Sequence, residues 1–150
     1  MRKPSHSAIR GFTLIELLIS LSIMMIIGTY GSIFFSRFVT TNALSNAQDQ
    51  IVGQARKAQW YAMLGKQNGP WGIRYGTNVL TLFQGTSYAT RNATYDETAS
   101  LNTNVSVSGL TEIIFAKRTG LPSTGASSIL LSTPIGTKTI TMNAYGVVSR

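Results

Sequence analysis

Three hydrophobic patterns follow one another along the chain. From Phe12 to Phe38 the residues are almost continuously apolar, from Leu44 to Ala62 apolar positions recur at steps of three or four, and beyond Pro70 they alternate. The first two patterns predict helix and the third predicts strands. Leu17 to Ser36 is a run of twenty uncharged residues. As a helix it would span about 30 Å, enough to cross a bilayer core once.

The second pattern predicts that the helix continues past the membrane. Leu44, Ala47, Ile51, Ala55, Ala58 and Ala62 form one stripe, with Asn46, Asp49, Gln54, Arg56, Lys57 and Gln59 on the other faces. Gly65 supplies a stop, and Gly69-Pro70 bars continuation. A single helix from Phe12 to Leu64 would be about 80 Å long. No proline interrupts it, so no kink is predicted.

In the third region Trp71–Tyr75 and Val79–Phe83 flank Gly76-Thr77-Asn78 as a hairpin. Gln84 to Asn104 is polar and poor in aliphatics, and is expected to be a surface excursion. Further strands are expected at Val105–Val107, Glu112–Ala116, Ser128–Ser132, Lys138–Asn143 and Tyr145–Ser149. The fold class is therefore α+β, a long N-terminal helix packed on an antiparallel sheet or small sandwich. The expected division is a basic leader at residues 1–11, a membrane or filament-core helix at 12–38, its amphipathic continuation at 39–64 and a β-rich head at 65–150.

Charge and composition narrow the chemistry. The formal net charge is +8, but Arg2, Lys3 and Arg10 all precede Gly11. Without them ten basic and five acidic side chains remain, a surplus that is not by itself a nucleic-acid signature. The chain has no cysteine, and its one histidine, His6, lies in the basic leader. Disulfide frameworks, thiolate metal sites and histidine triads beyond the leader are excluded. Asp96 and Glu97 are adjacent carboxylates without a calcium-loop pattern around them, and are read as solvated charge. No enzymatic constellation and no cofactor site is expected.

The most informative residues stand at the front edge of the apolar block. Arg10-Gly11-Phe12-Thr13-Leu14-Ile15-Glu16-Leu17-Leu18 places a basic residue and a flexible glycine at the membrane surface, then a carboxylate inside the hydrophobic run. A carboxylate in a membrane helix costs about 2.5–3.5 kcal/mol near the bilayer centre and less at the interface, so Glu16 calls for a partner or a function. Thr13-Leu14-Ile15-Glu16 also has the form of a helix capping box. Secretory signals begin in the same way, but their apolar region is shorter and ends in small residues.

This string resembles the cleavage and methylation motif of type IV prepilins and the pseudopilins of type II secretion. The resemblance implies cleavage by a prepilin peptidase between Gly11 and Phe12, methylation of the new Phe12 amine, and pairing of Glu16 with that amine on a neighbouring subunit. It further implies other pilin or pseudopilin subunits, an inner-membrane assembly platform and, before assembly, membrane lipid as partners. The N-terminus would be cytoplasmic and the head would lie in the periplasm or on a surface filament. More loosely, Ile114-Phe115, Gly120, Ile129-Leu130-Leu131, Lys138-Thr139-Ile140-Thr141 and Gly146-Val147-Val148 resemble the H-type minor pseudopilins and related minor pilins.

Two other readings remain open at this stage. Lys117, Arg118, Lys138 and Arg150 are candidate contacts for DNA, as in an uptake filament. Alternatively the chain is a signal-anchored surface protein that never assembles.

Overall fold

The computed structural model describes residues 11–150, apart from the side chains of residues 31–33; of the leader expected over residues 1–11, all but Gly11 lies outside the described residues. Helix α1 runs over Leu14–Met63, one or two residues short of the expected span at each end. Its start is fixed by Thr13, whose hydroxyl accepts the Glu16 amide at 3.3 Å. Its end is fixed by Gly65 in the left-handed conformation, φ 63°, with the Gly65 amide bonded to the Ala62 carbonyl. The chain divides into two units, residues 1–37 and 38–150.

In the first unit every described side chain is exposed, apolar ones included. Three of its hydroxyls bond back to the helix: Ser20 donates to the Glu16 carbonyl at 2.7 Å, Ser22 to Leu18 at 2.8 Å and Thr29 to Met25 at 2.8 Å. Hydroxyls satisfied in this way carry little penalty in a lipid or protein interior.

The second unit has its own core. Two antiparallel sheets supply it. One has the strand order β3-β2-β1-β5, from β1 (Trp71–Gly76), β2 (Val79–Gln84), β3 (Asn92–Ser100) and β5 (Glu112–Phe115). The other has the order β4-β6-β7-β8, from β4 (Ser106–Ser108), β6 (Ser127–Thr133), β7 (Gly136–Met142) and β8 (Val148–Ser149). The helical stripe read from the sequence is buried, joined by Ala43 and Val52, in one cluster with Trp71, Ile73, Leu82, Phe115, Leu131 and Ile140. Alanine at four positions of that stripe lets the sheets approach the helix backbone closely.

The β1–β2 hairpin closes with Gly76 opposite Val79, and Thr77 and Asn78 both take positive φ, 49° and 62°. That is the backbone a two-residue type I′ turn requires. Two expectations need correction. The polar stretch Gln84–Asn104 is not all surface excursion, because Asn92–Ser100 forms β3 along the edge of the first sheet. An edge strand is held by backbone bonds to one neighbour and leaves most side chains in solvent, so it needs few aliphatics. Its Tyr95 alone among the aromatics of that stretch packs against the core.

The second correction concerns the C-terminus, where the strand expected over Tyr145–Ser149 shrinks to Val148–Ser149. The Asn143 carboxamide oxygen accepts the amides of Tyr145 at 3.0 Å and Val147 at 2.9 Å, and Gly146 sits at φ 80°. That side-chain competition for backbone amides makes a turn where alternation alone predicted a ladder.

Candidate functional site

Gly11, Phe12 and Thr13 precede the helix, and with Glu16 they line a recess at its N-terminus. Phe12 is 81% exposed. The capping box is half built: Thr13 accepts the Glu16 amide, while among the described residues the Glu16 carboxylate has neither an ion-pair nor a hydrogen-bond partner. The cap therefore does not consume the carboxylate. A first-turn position also sets Glu16 favourably against the helix dipole, by about 0.3–1 kcal/mol.

A carboxylate so placed on an apolar helix, unpartnered among the described residues, can accept an ammonium group presented from another molecule. Further along, a Cβ added at Gly28 would meet nothing within 4 Å, so the helix surface there is open to close approach.

The four basic candidates of the head are not brought together. The Lys138 ammonium donates to the Ser45 hydroxyl at 3.0 Å, and Arg150 pairs with Asp49 at 3.0 Å. Lys117 donates to the Asn68 carboxamide at 2.5 Å, and the Arg118 amide bonds to the Ala62 carbonyl at 2.8 Å in a tight turn with Arg118 at φ 68°. The first pair is thus fastened near Ser45–Asp49 and the second near Ala62, roughly 20–25 Å apart along the helix at 1.5 Å per residue.

Two further ion pairs were not foreseen. Glu97 faces the helix and pairs with Lys57, while Asp96 faces the opposite side of the sheet and pairs with Arg91 at 2.7 Å. The adjacent carboxylates do point apart, as strand neighbours must, but each is engaged and neither is simply solvated. Hydrogen bonding to Glu97 raises the Lys57 pKa, against a smaller opposing effect of burial. Hydrogen bonding to Asp96 likewise raises that of Arg91. The helical periodicity put Lys57 off the apolar stripe, but nothing local announced a partner 40 residues away.

Gln59 does more than line a polar face of the helix. Its side-chain amide donates to the carbonyls of Gly120 at 3.1 Å and Tyr145 at 2.9 Å, tying two loops to the helix. A Cβ at Gly146 would lie 2.5 Å from the same amide nitrogen, which explains glycine there beyond its positive φ.

Residues 6–30 match the family model described as the prokaryotic N-terminal methylation motif. No curated protein matches the chain. Among solved structures, the fold is similar to that of the minor pseudopilin EpsH from the type 2 secretion system of Vibrio cholerae, with a TM-score of 0.52 at 11% identity, over 71% of this chain and 94% of that one. The motif match is confined to residues 6–30, and the likeness to EpsH, at 11% identity, shows the fold alone. The motif followed by an apolar helix long enough to span a bilayer supports a membrane-anchored protein.

Proposed function

We propose that this chain is a minor pilin or pseudopilin, activated by prepilin peptidase cleavage after Gly11 and methylation of Phe12, and assembled through α1 into a type IV pilus or a type II secretion pseudopilus. Before assembly the helix resides in the inner membrane, with a cytoplasmic N-terminus and the head outside. Assembly exchanges lipid for other subunits, guided by the membrane assembly platform. The observation that carries this reading is the Glu16 carboxylate, unpartnered among the described residues within the matched motif. The amine of Phe12 on a neighbouring subunit is the ligand of matching charge, and in an apolar filament core each group alone would be strongly disfavoured.

The likeness to EpsH supports the secretion alternative but rests on fold alone. Nothing in the placement of Lys117, Arg118, Lys138 and Arg150 favours the DNA-uptake reading, because a duplex track needs clustered cations free to replace counterions. Intact-mass analysis of the native protein tests the proposal. Loss of residues 1–11 with one added methyl group is expected; retention of Met1–Gly11 would leave a signal-anchored protein instead.

A further inference from the structure

The face of the first sheet turned away from the helix carries a row of side chains fixed by strand register. Thr98 on β3 stands opposite Thr81 on β2, Thr81 opposite Arg74 on β1, and Arg74 opposite Glu112 on β5. Leu80 and Leu82, which flank Thr81, point the other way into the core. The connection from β2 to β3 brings Tyr88 back over this row: its ring meets Phe83 edge-on at 5.5 Å, and its amide donates to the Glu112 carboxylate at 3.2 Å. Arg91 holds that connection, with its guanidinium 3.6 Å from the Tyr88 ring centroid and paired to Asp96.

What is left between the row and Tyr88 is a cleft of about 330 Å³, lined by Arg74, Thr77, Val79, Thr81, Tyr88 and Thr98. Among the described residues Arg74 is the one charged residue lining it. Its guanidinium lies 4.2 Å from the Tyr88 ring centroid, which fixes its orientation. Among the described residues no carboxylate is within ion-pair distance of Arg74. Glu112, its cross-strand neighbour, turns one carboxylate oxygen to the Tyr88 amide rather than to Arg74, and Asp96 pairs with Arg91. The hydroxyls of Thr77, Thr81 and Thr98 have no hydrogen-bond partner among the described residues, although Thr81 is only 6% exposed.

A pre-oriented guanidinium recognises a planar carboxylate through two parallel N–H bonds, and hydroxyls serve as both donors and acceptors. A bare acetate or phosphate would use Arg74 and make no contact along the threonine row. We propose that this cleft binds an acidic monosaccharide unit, a ring of hexuronate type, with its carboxylate on Arg74, its hydroxyls on Thr77, Thr81 and Thr98, and a C–H face against Val79. This binding is independent of how the N-terminus is processed or assembled.

Saturation-transfer NMR on the full chain in zwitterionic nanodiscs tests this, with galacturonate as probe up to about 10 mM, the affinity range of a single small contact set. Galacturonate ring protons should receive saturation, with galactose and acetate each binding at least several-fold more weakly. Arg74→Gln should weaken galacturonate binding by about tenfold or more, the loss of one charge-assisted hydrogen-bond pair. Arg74→Lys should recover part of that loss. Thr98→Val, at an exposed edge position, should weaken galacturonate more than acetate and leaves a test in hand if Arg74 variants unfold. The proposal is overturned by absence of transfer, by equal binding of galactose, by phosphate or acetate matching galacturonate, or by affinity unchanged in a folded Arg74→Gln protein.

Discussion

The two ends of one helix have the same backbone and opposite surroundings. Ile19 and Ile51 are the same residue in the same secondary structure, yet Ile19 is 54% exposed and Ile51 fully buried. Around Ile51 the chain supplies its own partners, two sheets and an alanine-rich stripe. Around Ile19 it supplies none among the described residues: Leu14, Ile15, Leu18, Met24, Met25 and Ile27 are all exposed large hydrophobics. An apolar surface of that extent is costly in water, so its partners are other molecules. The head has a core of its own, whereas the described side chains of the first part of the helix are all exposed.

Separating the two halves should give the largest effect. A chain beginning at Thr40 should be soluble and monomeric and should unfold cooperatively, as single small domains do, whereas the full chain should require detergent. Sedimentation and urea titration would check this, and aggregation of the shortened chain would break the comparison.

Truncating the matched isoleucines sharpens it. In the head, Ile51→Ala should cost about 2–5 kcal/mol of unfolding free energy through lost burial and the cavity left behind. Ile19→Ala, measured by the same denaturation in detergent, should leave head stability within about 0.5 kcal/mol. Similar losses from both would mean that the first half also packs on the head.

Polar ties between helix and loops come next. Gln59→Ala removes both bonds to Gly120 and Tyr145 and should cost about 1–2 kcal/mol, with amide exchange accelerating first in those two loops. The smallest effect belongs to Lys57 and Glu97, whose side chains are 38% and 41% exposed. Screening by solvent limits Lys57→Met to at most about 1 kcal/mol. Because the folded Lys57 pKa is raised above its ordinary 10.5, that contribution should be fully present below pH 10.5 and should fade only as pH climbs through the raised value. Urea midpoints of the wild type and Lys57→Met should therefore converge in strong alkali.

The helix, its stripe and its Gly65 stop were legible because helical contacts repeat locally and each apolar step announces the next. All six stripe residues read from the sequence are in the core. The strands of the second sheet were legible within a residue or two at most ends, since Ile129, Leu131 and Ile140 alternate with exposed neighbours. β3 was not, because an edge strand facing water carries no alternation of aliphatics to read. The Asn143–Gly146 turn was missed for another reason: Asn143 competes for amides that periodicity assigns to a strand.

The string from Gly11 to Glu16 could be read as a candidate because its members are neighbours along the chain, and residues 6–30 match the methylation-motif model. The pairs Lys57–Glu97 and Arg91–Asp96, the Gln59 ties and the row Thr98-Thr81-Arg74 were invisible. Their members come together only after sheet register is set, and nothing in one strand's sequence states which residue of the next will stand opposite.

Filament recovery of a Glu16→Leu variant tests the central claim most directly. Removing the carboxylate lowers the cost of inserting the helix in lipid, so membrane insertion should be unimpaired, and the Gly11–Phe12 junction is untouched. If Glu16 holds a neighbour's Phe12 amine, the variant should be found processed in membranes and depleted from sheared filaments. If it served only the helix start, which Thr13 already caps, the variant should lose about 1 kcal/mol of helix stability and still assemble. Recovery of Glu16→Leu protein in filaments at the wild-type level would contradict the account.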